Sequence, residues 1–231
     1  MRWDVVATAF PALLSAVPMT LQLAFIAVAA GFFLAVLLAV ARLSGIRGLS
    51  GLAYAYVYVI RGTPLLLQIF FIYYGAGQFD AVRASPFWPI LREAYWCALL
   101  ALSLNTAAYG SEIIRGGLMS VPKGQIEAAR AFGLSGMRLF RLIVFPQALR
   151  VMLPAYGNEL ILLLKATSLA STITIIDVTG MARTLASQTY APVEVFVCAG
   201  VIYLALTTLS TLAVQSVEGR LRRRGGLALQ G

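Results

Sequence analysis

Residues 19–41 read MTLQLAFIAVAAGFFLAVLLAVA, without a single charged side chain, between Pro18 and Arg42. At about 1.5 Å per residue a helix of that length crosses the roughly 30 Å hydrocarbon core of a bilayer. Pro18 suits the opening turn of such a helix, where its missing N–H removes no hydrogen bond, and Arg42 suits its close. The block is longer than the core of a signal peptide, and a single arginine precedes it, so the sequence predicts a retained span.

The same composition runs through the chain: 60% of 231 residues are hydrophobic and 12% charged, about half the charged share of soluble domains. Further apolar stretches at about 54–75, 95–114, 154–173 and 195–214 predict an all-α integral membrane protein with five transmembrane helices. No long-period repeat or low-complexity linker divides it, so residues 1–231 are read as one domain. Cys97 and Cys198 fall inside apolar stretches and read as buried thiols.

The formal net charge of +9 invites nucleic acid as a partner, but the charges lie between and after the apolar stretches rather than on one face. Lys and Arg concentrate in two connections, at Arg42 and Arg47, and at Arg115, Lys123, Arg130, Arg138, Arg141 and Arg150, and in the tail, at Arg220, Arg222, Arg223 and Arg224. Those segments are expected in the cytoplasm, which puts the N-terminus outside and the C-terminus inside. On the other side Arg2, Arg83, Arg92 and Arg183 are offset by Asp4, Asp80, Glu93, Asp177 and Glu194. The stretch 174–194 is too polar to span and is expected to lie along the outer surface, where it can cap a path. No Gly-rich phosphate loop exists, because the lysines, Lys123 and Lys165, precede Gly and Ala. ATP hydrolysis is therefore assigned to another chain. Without histidine or a carboxylate cluster, no catalytic residue, metal or cofactor is expected.

Three stretches carry the functional signal. In the connection at about 115–148, Glu127-Ala128-Ala129 offers small residues for close approach to another surface, and Gly133 can take the left-handed conformation that ends a helix. A short helix follows, readable as a docking element or as an ordinary amphipathic surface helix. The sequence Arg61-Gly62-Thr63-Pro64 breaks the second span about two turns from its cytoplasmic end, freeing backbone groups of the kind that mark substrate paths. A plain kink with Arg61 reaching toward headgroups is the other reading. On the fourth span Asn158, Lys165 and Thr172 recur at intervals of seven with Ser168 beside them, a polar stripe that faces protein or water. Glu159 points elsewhere, about 100° from Asn158. The third span adds Asn105, Thr106, Tyr109 and Glu112, the last one turn from Arg115.

These stretches resemble signatures of a known family. Glu127-Ala-Ala, Gly133 and Ile143-x-Phe145-Pro146 look like the EAA motif of ABC transporter importer permeases, with Phe145 where the family usually has Leu. The Arg61 to Pro64 segment is similar to the signature of the polar amino acid uptake branch. The fourth span looks like that of M-type subunits serving histidine, cationic amino acids and octopine-like opines. The resemblance implies a multi-pass permease of the bacterial inner membrane that pairs with a second permease subunit, homologous or identical. Two ATP-binding cassette subunits and a periplasmic amino acid-binding protein complete the assembly it implies. It makes Glu127, Ala128, Ala129 and Gly133 the coupling helix seated in the ATPase. The substrate pathway is assigned to Arg61, Gly62, Thr63, Pro64, Asn105, Asn158, Glu159, Lys165, Thr167 and Ser168. Arg61 and Lys165 would meet a carboxylate there, and Glu159 would meet a cation or, alternatively, an arginine near the cytoplasmic mouth. An ion-gradient-driven secondary transporter or channel is the competing class, disfavoured by five unpaired spans without inverted repeats.

Overall fold

The long apolar block folds as the helix its composition predicts. In this computed structural model, which describes residues 2–225 and side chains as far as residue 220, α1 covers Trp3–Ser15 and α2 covers Val17–Leu43. The side chains of Arg222, Arg223 and Arg224 lie outside the described residues. Pro18 occupies the first turn of α2 and Arg42 its last. Nothing in the sequence predicts α1, whose 13 residues are too few to span and hold Pro11 inside. Tertiary packing sustains it: Val5, Ala9 and Leu13, four apart, bury one face in the cluster formed with α11 (Val178–Thr189) and α12 (Pro192–Gly225).

The second span is a bent pair. α3 (Arg47–Gly62) meets α4 (Leu65–Phe70), which runs on through a π turn at Phe71–Gly75 and a 3-10 turn at Ala76–Gln78. The two arms bend by 106° across Thr63, whose extended conformation (φ −117°, ψ 143°) is the one a following proline imposes. The break is where the sequence puts it, but α3 starts at Arg47 rather than near Tyr54, so a full helix precedes the break instead of two turns. Single turns α5 (Asp80–Arg83) and α6 (Trp88–Leu91) lead to α7 (Ala94–Met119).

α7 packs along α2 through small residues. Leu23, Ala27, Gly31, Ala35 and Ala39 recur every fourth position on the buried face of α2. At Gly31 an added Cβ would stand 2.9 Å from the Thr106 Cβ and 3.0 Å from the Ser103 carbonyl oxygen, so the backbones touch as small-xxx-small pairs do.

After α8 (Lys123–Ala131) and α9 (Gly136–Leu139), a π turn at Phe140–Val144 leads into α10 (Phe145–Ala166), prolonged by a 3-10 segment at Thr167–Ile173. This corrects the expected start at Pro154. Pro146 takes the helix-opening position, and Pro154 sits inside α10 on an exposed face, where loss of one backbone hydrogen bond is tolerated by a long packed helix. The stretch 174–194, expected along a surface, contains the packed helix α11. Its inner face, Val178, Gly180 and Ala182, is buried, and Asp177 caps it by accepting from the Gly180 N–H at 2.8 Å. The Tyr203 hydroxyl donates to the other Asp177 oxygen at 3.0 Å, and the Val178 N–H donates to the Thr20 hydroxyl at 3.2 Å. Burial pushes the Asp177 carboxyl above the usual carboxylate range, with the Gly180 and Tyr203 hydrogen bonds acting against that rise.

Among the described residues four runs are long and apolar enough to cross a membrane, Trp3–Leu43, Ala94–Met119, Gly136–Ile173 and Pro192–Arg220, with the bent pair as a fifth. Among the described residues every regular element is helical.

Candidate functional site

The break after α3 leaves carbonyls that a continuous helix would have used. Gln68, one turn past Pro64, answers them: its Nε2 donates to the Ile60 carbonyl at 2.7 Å, to the Thr63 hydroxyl at 2.9 Å and to the Thr63 carbonyl at 3.1 Å. Its Oε1 accepts from Asn105 Nδ2 of α7 at 3.2 Å. Thr63 Oγ1 itself donates to the Val59 carbonyl at 2.9 Å. Gln68 is thus a site residue that the sequence reading misses, though an amide inside Leu65-Leu-Leu-Gln-Ile-Phe is a visible signal. Residues of both arms line a mostly apolar cavity of about 790 Å³, with Val59, Leu67, Phe71 and Leu104 among its walls and Thr63, Gln68 and Tyr74 as its polar members. Gly62 and Pro64 are exposed.

Arg61 turns to the other side. Its guanidinium lies 5.0 Å from the centre of the Tyr109 ring, within cation–π range, on a cavity of about 380 Å³ shared with Arg42, Tyr54 and Glu112. Glu112 pairs with Arg115 at 2.6 Å, the partner expected one turn on, and also with Arg42 of α2 at 3.5 Å. Glu159 of α10 is 9% exposed and has no ion pair within 4 Å among the described residues.

On α10 the polar stripe is real but incomplete. Asn158 and Lys165 are exposed, Ser168 and Thr172 half-buried, and Glu159 is buried on another face. Thr167 lies behind the stripe: it is fully buried and its hydroxyl donates to the Leu164 carbonyl at 2.8 Å. Asn105, Thr63 and Gln68 therefore converge, while Glu159 and Lys165 make no ion pair within 4 Å among the described residues.

α8 ends as Gly133 predicts. With φ +83°, Gly133 lets its N–H reach the Arg130 carbonyl at 2.9 Å and lets the Leu134 N–H reach the Ala129 carbonyl at 3.0 Å, the paired bonds of a Schellman end. Ala129 is buried under the helix, while Glu127, Ala128 and Phe132 are exposed, Phe132 by 88%.

Known proteins share this arrangement over nearly its whole length. The chain is 58% identical over 210 residues to the nopaline transport system permease protein NocM of Agrobacterium fabrum, covering 90% of this chain and 87% of that one. It is 59% identical over 197 residues to the octopine transport system permease protein OccM of Rhizobium radiobacter, covering 85% and 80%. Among solved structures, a crystal structure of an amino acid ABC transporter with histidines superposes with a TM-score of 0.86 at 34% identity, covering 95% of this chain and 99% of that one. Residues 27–223 match the family described as binding-protein-dependent transport system inner membrane component, and the chain belongs to that family.

Proposed function

We propose that this chain is the permease subunit of an ATP-driven, binding-protein-dependent importer of amino acids or opines, acting as a single transmembrane domain in the inner membrane. The observation that carries the reading is likeness at 58% identity across 90% of the chain to a permease for nopaline, joined to the close superposition on an amino acid transporter. The chain supplies the path and its partners supply the chemistry: a second permease subunit, two ATP-binding cassette subunits and a periplasmic binding protein.

In this reading the N-terminus is outside, the C-terminus inside and α8 enters the cytoplasm, supported by the arginines gathered on that side. α8 is the coupling helix, supported by its clean end at Gly133 and the open face at Ala128 and Phe132. Substrate passes between the α3–α4 bend and the polar face of α10, with Arg61 and Lys165 serving the carboxylate and Glu159 the cationic side chain. The supporting physics is cost: ionisable groups inside a bilayer are unfavourable by at least about 2.5 kcal/mol and persist where they line a path.

Proteoliposomes test the reading. Uptake of labelled arginine or octopine is expected to require ATP, the ATPase subunits and the binding protein together. Uptake driven by an ion gradient alone, with ATP and binding protein omitted, would sink it.

A further inference from the structure

A polar cavity beyond the end of α10 belongs to none of the groups above. The 3-10 segment and α11 border an open cavity of about 410 Å³ lined by Ser171, Thr174, Arg183, Thr184 and Ser187, a size at which small molecules bind. Arg183 has no carboxylate within 4 Å among the described residues. One guanidinium nitrogen donates to the Ser171 carbonyl at 3.1 Å, which steadies the side chain and leaves the rest of its fork open. The acid nearest in sequence, Asp177, is turned away and already occupied by the Gly180 N–H and the Tyr203 hydroxyl.

The walls are stiff. Thr174, a β-branched residue, holds a left-handed conformation with φ +74°, strain of the kind kept at ligand sites. At Gly180 an added Cβ would stand 2.2 Å from the Ile175 carbonyl oxygen, so α11 presses directly on the turn that carries Thr174. Ser171 is 8% exposed, and its hydroxyl has no hydrogen-bond partner among the described residues. An exposed cation tethered by one hydrogen bond, a hydroxyl without a protein partner and a rigid rim suit one chemistry, an anion with planar acceptors.

We infer that this cavity is a carboxylate subsite, in which the Arg183 guanidinium and the Ser171 hydroxyl receive the carboxylate of the transported amino acid. The inference rests on the permease reading and adds a stopping point to it. Ser171 lies six residues past Lys165, roughly 12 Å at about 2 Å per residue, so this stop lies further along the same run of helix than the lysine. An acidic side chain of a docked binding protein would offer the same group, and omitting that protein separates the two sources.

The test uses the permease–ATPase complex in nanodiscs without binding protein, titrated by thermal shift with L-arginine, octopine and agmatine, the last having the guanidinium tail and no carboxylate. Arg183→Ala is expected to raise the half-effect concentration of arginine and octopine about tenfold or more, as loss of a charge-assisted hydrogen bond does. Arg183→Lys recovers part of it, and agmatine, weaker from the outset, is unchanged. Equal weakening of all three ligands would make Arg183 a strut for the Ser171 backbone and overturn the inference, as would unchanged arginine and octopine titrations. A wild-type complex that responds to neither carboxylated ligand also overturns it. ATP-driven uptake by the same wild-type complex, moved into proteoliposomes and supplied with binding protein, tells this apart from a failure of the permease reading.

Discussion

Replacing Gln68 with Met keeps the length of the side chain and removes every polar contact that closes the α3–α4 break. The amide makes contacts to Ile60, Thr63 and Asn105 at 2.7 to 3.2 Å. Two amide hydrogens and one carbonyl correspond to three full hydrogen bonds, each about 0.5–1.5 kcal/mol net. Because the site is half-buried, the lower part of that range applies, giving a loss of about 2–3 kcal/mol. The thioether regains about 1 kcal/mol of apolar transfer at the edge of an apolar cavity, so the expected destabilisation is about 1–2 kcal/mol. Reversible unfolding of the purified subunit in mixed detergent, followed by tryptophan fluorescence, measures it. Asn105→Ala alone is expected to cost about 1 kcal/mol, and the double variant about 1 kcal/mol less than the sum, since both remove the same bond. A Gln68→Met protein within 0.5 kcal/mol of wild type, or strict additivity with Asn105→Ala, refutes the reasoning.

Two further outcomes follow from single backbone or charge positions. Gly133→Val meets no atom within 4 Å of its Cβ but forces a β-branched residue to φ +83°, costing about 1–2 kcal/mol. Substrate-stimulated ATP hydrolysis by the assembled complex is expected to fall about fivefold or more while insertion stays normal; full stimulation would remove the end of α8 from coupling. For Asp177, burial raises the carboxyl in the folded state, so below about pH 4 its contribution to stability is complete. It is lost as pH rises through the raised folded value, because the unfolded chain releases its proton first. Asp177→Asn keeps an acceptor for the Gly180 N–H and is expected to flatten that decline in unfolding measurements between pH 4 and 8. An identical slope in the variant contradicts the assignment.

What could be read in advance is what depends on neighbours along the chain. The length of α2, the break at Thr63-Pro64 and the end of α8 at Gly133 follow from apolar run length, a missing donor and a permitted left-handed backbone. Residues that depend on distant partners were harder. α1 exists because Val5, Ala9 and Leu13 meet α11 and α12 far away in sequence. Two prolines, Pro146 and Pro154, both fit a helix start, and only the structure ranks them. The polar face of α11 is legible, with Arg183, Thr184 and Ser187 exposed, whereas its buried face of Val178, Gly180 and Ala182 depends on distant partners. Gln68 is missed for a related reason, since one of its hydrogen bonds depends on reaching Asn105 on α7. Thr167 was assigned by its polarity, which its own helix absorbs through the Leu164 carbonyl.

The close seam between α2 and α7 sets an order of events during biosynthesis. From Leu43 to Met119 the ribosome adds 76 residues, which at about 5–20 residues per second takes roughly 4–15 s. For that interval α2 sits in lipid with its Ala and Gly face uncovered, a face that has no side-chain polar group to desolvate between Leu23 and Ala39. α7 is the one that brings polarity, in Asn105 and Glu112. By the time it enters, Gln68 and Arg42 are already in place to receive them. The helix that waits is the one that lipid can host, and the helix that lipid would reject arrives last, to partners already synthesised.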